Sequence, residues 1–334
     1  MSTSCPDSTR VRARHTWLQQ VLGTVDFTLE RASHDAGFRS YWRAHDGTRS
    51  LIVMDAPPDL EPVAPWLRIH ALLDAGGVRV PHIMAGDSEQ GFLLLEDLGP
   101  NTCLDLMTPA TADSLIRAAI EQLVCLQTIP PPPDLPHYDT ALLWRDVHLF
   151  DEWFLRQHLA ITLDEMKMRQ LIESYHFLIA CALAQPQILV HRDFMSRNLL
   201  PAGERLAVID FQGAVRGPLA YDLMSLTKDA FISWEDSEIE RWNRHYHQRA
   251  RAAGLPVPEW TQFQRDLDLI GVHRHLKVLG IFSRLAHRDG KPHYIADAPR
   301  FAAYLEAVVP HYPELAILDE LLALHILPFL ESRT

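Results

Sequence analysis

The segment from Ile188 to Gln212 carries the residues whose types and spacing bear most directly on chemistry. An apolar run, Ile188-Leu189-Val190, delivers His191-Arg192-Asp193. Asn198 follows five positions after Asp193. A second apolar run, Leu206-Ala207-Val208-Ile209, delivers Asp210-Phe211-Gln212, twelve positions beyond Asn198. Phosphoryl transfer from Mg-ATP asks for few side chains. One carboxylate orients the attacking hydroxyl and accepts its proton, and one or two oxygen ligands hold Mg²⁺ against the phosphates. This pattern predicts Asp193 as the base and Asn198 and Asp210 as metal ligands. Either aspartate alone would serve equally well as a turn cap at a strand end. Three such groups on two strand ends at this spacing are not explained by capping, which requires neither the spacing nor the flanking strands.

The elements that must position these groups can be read on both sides of them. A short helix is predicted over Trp17–Leu22. Strands are predicted over Phe27–Arg31, Arg39–Ala44 and Ser50–Asp55, with a polar loop from Ser33 to Gly37 and a hairpin turn at Asp46-Gly47. A helix over Pro65–Ala75, closed by Gly76-Gly77, precedes two further strands, Val80–Met84 and Gly91–Glu96. The expectation is a five-stranded antiparallel sheet with one helix. After Leu98-Gly99-Pro100 the chain turns helical, with segments over Ala112–Gln127, Leu142–Leu159 and Leu163–Ala184 and a Pro-rich connector between the first two. The short β insert holding the motif comes next, and the remainder is again mainly helical.

Composition narrows the classes. The chain has 334 residues, 31 Lys+Arg against 43 Asp+Glu, and a formal charge of −12, which speaks against a broad nucleic-acid surface. Two lobes are expected, residues 1–97 and 98–334. Cys5, Cys103, Cys125 and Cys181 form no C-x-x-C pair and no disulfide framework. The polar N-terminus lacks an apolar signal region, and no window is apolar enough to span a membrane, so a cytoplasmic protein with no membrane partner is expected. The only lysines are Lys167, Lys228, Lys277 and Lys291, so the first half has none.

Taken together, the motif and its surroundings resemble the aminoglycoside-phosphotransferase branch of the protein-kinase-like fold, over roughly residues 25 to 310. That branch carries H-x-D in its catalytic loop and, after the metal aspartate, a run such as Pro218-Leu219-Ala220-Tyr221-Asp222-Leu223. The resemblance implies an α+β, bilobal fold: a small antiparallel β-sheet lobe with one helix and a larger, mainly helical lobe. Within the branch, several segments are similar to bacterial anomeric kinases of amino sugars in cell-wall recycling. These are Ser50–Pro58, Gly91–Gly99, Lys228–Phe231, Gly271–Phe282 and His287–Pro292. Their activity would be ATP-dependent phosphorylation of the anomeric hydroxyl of N-acetylmuramate or N-acetylglucosamine to the α-1-phosphate, which a nucleotidyltransferase then uses. Rival readings are a kinase of aminoglycosides, choline or amino-alcohols, and an inactive nucleotide-binding regulatory module.

The pattern departs from kinases in the first lobe. The strand that usually carries the phosphate-holding lysine reads Leu-Ile-Val-Met-Asp, and no glycine-rich loop is present. One reading places Ser33, His34, Asp35 and main-chain amides over the phosphates, helped by Arg39 or Arg43; the other leaves both arginines as solvated strand residues. By its position in kinase-like folds, the Glu96-Asp97-Leu98 stretch would bind adenine through main-chain groups, which selects Glu96 and Leu98. For the sugar, the candidates are Lys228, Asp229, His273, Arg274 and Lys277. Helical spacing puts Arg274 and Lys277, and also His273 and Lys277, on one face. An arginine or lysine there would pair with the lactyl carboxylate of N-acetylmuramate; the alternative is a solvated helix face. His191 is expected to act structurally within its loop.

Overall fold

The computed structural model describes residues 7–32 and 38–332. Ser33, His34 and Asp35 lie outside the described residues. The chain divides into two compact units: residues 1–102 with 200–212, and residues 103–199 with 213–334. The first division falls a few residues beyond the expected 97/98 boundary. The strand pair carrying Asp210 belongs with the first unit and not with the catalytic-loop residues that precede it.

In the first unit, strands β1 (Thr28–Arg31), β2 (Ser40–His45), β3 (Ser50–Asp55), β4 (Ile83–Asp87) and β5 (Phe92–Glu96) form an antiparallel sheet in the order β1-β2-β3-β5-β4. Strand alternation sorts β3 into two faces. Leu51 and Val53 join Ala44, Phe92 and Leu94 under Trp17 and Leu18 of helix α1 (Asp7–Leu22). Ile52 and Met54 face the other way. Helix α1 begins ten residues before the expected start at Trp17. Its first turns are polar and gain little from apolar burial. They are held instead by charge: Arg10 and Arg14 both pair with Asp55, at 2.7 and 2.9 Å, and their guanidinium groups lie over the rings of Phe92 and Trp42.

Strand β4 starts three residues later than the sequence suggests. The main chain just before it is satisfied elsewhere: the Arg79 carbonyl accepts from Val208 N, and the Pro81 carbonyl from His70 Nε2. Helix α2 (Ala64–Ala75) turns Trp66, Ile69, His70 and Leu73 inward. A hairpin of β7 (Leu199–Ala202) and β8 (Arg205–Val208), turning at Gly203 with φ of 67°, completes the unit.

The second unit is mainly helical, with α3 (Cys103–Leu106), α4 (Ala112–Gln127), α5 (Thr140–Val147), α6 (Glu165–Ala184), α7 (Tyr221–Thr227), α8 (Asp236–Ala252), α9 (Trp260–His287) and α10 (Ala298–Glu306). The helix expected over 142–159 is two pieces: α5, then a wide-turned π-helical stretch from Phe150 to His158. At their junction α9 comes close, since a Cβ on Gly280 would collide with the Leu149 main chain. Strand β6 (Gln187–Val190), which leads into the catalytic loop, pairs with β9 (Val215–Pro218), not with β8. Helix α9 is 28 residues long and buried without interruption from Leu269 to Gly280, so its charged residues there have no solvated face. Among the described residues no helix is long and apolar enough to cross a membrane.

Candidate active site

Strand β6 is wholly apolar after Gln187 and ends at His191-Arg192-Asp193. Two successive amides of this loop, His191 N and Arg192 N, donate to the two oxygens of Asp222 at 2.7 and 2.9 Å. Asp222 is fully buried at the start of α7, and burial pushes its carboxyl up to about 6. The clamp holds Arg192 at φ of 77°, a left-handed conformation that costs a residue bearing a Cβ on the order of 1–2 kcal/mol. Past that turn, Asp193 N donates to His191 Nδ1 at 3.2 Å, and Asn198 Nδ2 donates to the Asp193 carbonyl at 2.8 Å. The asparagine amide is thereby oriented, which leaves its side-chain oxygen as the group turned away from the loop. Ser196 N donates to Asp229 at 2.8 Å, and the other Asp229 oxygen accepts from Phe231 N at 2.9 Å. Burial raises the Asp229 carboxyl.

Behind the loop sits a group that the sequence reading missed. Asp146 is 3% exposed and meets Arg192 at 3.1 Å, Lys277 at 3.2 Å and the Tyr138 hydroxyl at 2.7 Å. Burial works against its charge, but Lys277 and Arg192 more than offset that and hold the carboxyl well below its ordinary value. Lys277 also donates to the Tyr221 hydroxyl at 3.1 Å. The signal for Asp146 was present: Leu143, Asp146 and Val147 form the buried stripe of α5, so an acid stands at a core position.

This arrangement separates residues that helical spacing had grouped. Lys277 points into the Asp146 cluster. His273 is buried and donates from Nε2 to the Leu143 carbonyl at 3.0 Å, and burial pushes its pKa down to about 4. Arg274, 2% exposed, turns toward the end of α7, where its Nη1 lies 3.4 Å from the Lys228 carbonyl. Of the five sugar candidates, Lys228, Asp229 and Arg274 are therefore together, while His273 and Lys277 serve the packing behind the loop.

In the first unit, β8 ends at Asp210, whose φ is 62°. Asp210 Oδ1 accepts from Gln212 Nε2 at 2.6 Å. Phe211 is buried against Trp66 of α2, with ring centroids 5.0 Å apart. Among the described residues only Ala160, Arg192 and Asp210 are non-glycine residues with positive φ, and two of these three fall within the motif. Strain retained at such positions marks places where side-chain aim matters more than backbone ease. The carboxylate of Asp210 and the amide oxygen of Asn198 are hard oxygen donors of the kind Mg²⁺ takes.

Arg43, Arg39 and Arg79 of this unit are committed to carboxylates. Arg43 makes a two-pronged pair with Asp97, at 2.7 and 3.2 Å, and Ser50 also bonds Asp97. Burial favours the neutral acid, but these partners hold Asp97 below the usual carboxylate range. Arg39 pairs with Glu61, and Arg79 with Glu96 at 2.5 Å. The Glu96 side chain is thus turned to Arg79 and His82 N. Leu98, by contrast, is half-buried, and among the described residues its main-chain amide and carbonyl make no hydrogen bond.

Comparison with known proteins adds three findings. The phosphotransferase enzyme family matches residues 28–257. A protein of Pseudomonas putida described as an N-acetylmuramate/N-acetylglucosamine kinase is 48% identical over 89% of this chain and 88% of its own length. Its Pseudomonas aeruginosa counterpart is 46% identical over 87% of each. Among solved structures, a choline kinase from Streptococcus pneumoniae shares the fold with a TM-score of 0.64 at 13% identity, covering 90% of this chain and 100% of that one. An ADP-bound aminoglycoside phosphotransferase gives 0.59 at 14% identity, over 88% and 96%.

Proposed function

The chain belongs to the phosphotransferase enzyme family, and we propose that it transfers the γ-phosphoryl group of ATP to the anomeric hydroxyl of N-acetylmuramate or N-acetylglucosamine. The product is the α-1-phosphate, made in the cytoplasm and consumed by a nucleotidyltransferase during cell-wall recycling. The observation that carries the reading is the doubly pinned loop. Asp222 grips its amides, Asp229 grips Ser196, and Asn198 locks onto the carbonyl of Asp193. So much ordering around one half-buried carboxylate suits a group that must meet a hydroxyl in a defined geometry.

Asp193 orients the anomeric hydroxyl and takes its proton as the C1 oxygen attacks the γ-phosphorus and ADP departs. An anomeric hydroxyl is more acidic than an ordinary sugar hydroxyl, so a weak carboxylate base is sufficient. Asn198 and Asp210 would hold Mg²⁺, which when bound neutralises phosphate charge. Leu98 would receive adenine through its unpaired main-chain groups, next to the side-chain-occupied Glu96. Ser33, His34 and Asp35 remain proposed phosphate contacts. Arg43 is proposed to act on that region indirectly, by holding Asp97 at the end of β5.

Choline and aminoglycosides, the acceptors in the names of the structural neighbours, are cationic. Lys228 and Arg274 are proposed for the acceptor site, where a cationic acceptor would need acids, and this favours the sugar reading. An inactive regulatory role is disfavoured because Asp193, Asn198 and Asp210 are all present. The test is incubation with Mg-ATP and each amino sugar, with kanamycin and choline as controls, following ADP release and loss of the reducing end. ADP release with choline or kanamycin alone would overturn the assignment.

A further inference from the structure

We propose that Lys228 and Arg274 form an anion subsite for the carboxylate of an acidic acceptor sugar, the lactyl group that distinguishes N-acetylmuramate from N-acetylglucosamine. The inference rests on the sugar-kinase reading and specifies it.

Buried cations of the second unit differ in whether they have counter-ions. Arg192 and Lys277 share Asp146. Arg274 is as deeply buried as they are, yet among the described residues no carboxylate lies within ion-pair distance of it or of Lys228. Its one hydrogen bond, at 3.4 Å to the Lys228 carbonyl, is at the long limit. Among the described residues the Lys228 ammonium makes no hydrogen bond, and it lies 5.5 Å from the centre of the Tyr304 ring.

Of the nearby acids, Asp236 acts on Lys228 only from beyond ion-pair distance, and three others are engaged elsewhere. Both oxygens of Asp229 accept main-chain amides, Asp268 accepts from the Tyr312 hydroxyl at 2.9 Å, and Asp297 pairs with Arg300 at 3.2 Å. A buried arginine beside a half-buried lysine, with no anion in ion-pair reach, is costly, and a bound carboxylate relieves that cost. Burial lowers the Lys228 pKa, as expected for an ammonium that lacks a close counter-ion. His275 adds a further polar group beside them: it is 1% exposed, stacks on Tyr304 with centroids 5.0 Å apart, and its Nε2 has no hydrogen-bond partner.

The subsite is also coupled to the catalytic loop. Asp229 follows Lys228 directly, lies in the field of Arg274, and bonds the amide of Ser196, three residues after Asp193. An acidic substituent held by the two cations would be fixed relative to the base through one short stretch of main chain.

The test compares kcat/KM for N-acetylmuramate and N-acetylglucosamine in wild type, Lys228→Met, Arg274→Met and the charge-keeping Arg274→Lys. In either Met variant the ratio should move against N-acetylmuramate by about tenfold or more, the scale of a lost charge-assisted hydrogen bond. Arg274→Lys should recover part of it. An unchanged ratio, whether both sugars fall together or neither falls, overturns the subsite, and a rise only in KM for ATP would do the same. If wild type phosphorylates neither sugar, the kinase reading fails separately. Calorimetric binding of the two sugars to wild type and Arg274→Met then decides the subsite: a carboxylate preference lost in the variant supports it, and equal binding of both sugars refutes it.

Discussion

Asp55 in the first unit and Asp146 in the second are the same electrostatic object put to different uses. Each is almost fully buried, and each is held by two cations that are a quarter exposed or less; Asp146 also meets the exposed Arg145 of its own helix at 3.2 Å. Both cations of Asp55 come from one helix, so the cluster fastens α1 to the sheet and nothing else. The less exposed cations of Asp146 come from two places, the catalytic loop through Arg192 and helix α9 through Lys277. The second cluster therefore fixes the loop's position relative to the core. Where the partners originate, and not how strong the pairing is, separates a fastening from a positioning device.

The largest effect is expected in front of the second cluster. Asp193→Asn should lower turnover by about 10²–10⁴-fold with an unchanged urea midpoint, because it removes the base and leaves the pinned loop intact. Near-full turnover in a rapid-quench assay would exclude Asp193 as the base.

Next come the matched variants Asp55→Asn and Asp146→Asn. Each leaves two buried cations facing a neutral amide, so each should cost about 3 kcal/mol in denaturant unfolding. They should part in kinetics. Per folded molecule, Asp146→Asn should lower kcat about tenfold or more through misplacement of the loop, while Asp55→Asn should leave it nearly unchanged. Equal kcat values would erase the distinction.

A pH prediction tests the core behind Asp146. His273 has a folded pKa of about 4, below the ordinary imidazole value. Its neutral form supports folding above about pH 6.5, and that support is lost as pH falls toward 4, because the unfolded chain takes up the proton first. His273→Gln, which keeps a donor for the Leu143 carbonyl, should remove about 2–3 kcal/mol of that pH dependence. Asp222 works in the opposite sense: its raised pKa makes ionisation costly as pH rises through about 4 to 6. The difference between wild type and variant, measured by urea unfolding across pH 4–7, is thus the readout.

The smallest effect is expected at Arg43. Arg43→Met removes a partly exposed pair and should cost about 1 kcal/mol or less. KM for ATP should rise less than about threefold if the residue acts only through Asp97, since no direct phosphate contact is then lost. A much larger rise would return Arg43 to direct phosphate binding.

Much of the fold was legible because its signals are local. Ser50–Asp55 and Ala112–Gln127 appear as expected, since apolar runs and amphipathic periods do not depend on distant partners. Legibility failed where distant groups replaced local ones. Polar residues 7–16 form a helix only because Asp55 receives their arginines. Strand β4 starts only at Ile83 because β8 and His70 take the carbonyls of Arg79 and Pro81. The strands before and after the catalytic loop were visible, but not that β6 pairs with β9.

The sequence by itself determined the chemistry on offer: Asp193, Asn198 and Asp210 at kinase-like spacing, a first half without lysine, and charged residues along 273–277. It could do so because reactive groups and their spacing are written in order along the chain. Only the tertiary structure decided what each charge does. Helical spacing makes Arg274 and Lys277 neighbours on one face, but a helical stretch buried from Leu269 to Gly280 has no common solvent for them to share. Each must find its own counter-charge from its own surroundings: Lys277 finds Asp146, whereas among the described residues Arg274 and Lys228 meet no carboxylate within ion-pair distance.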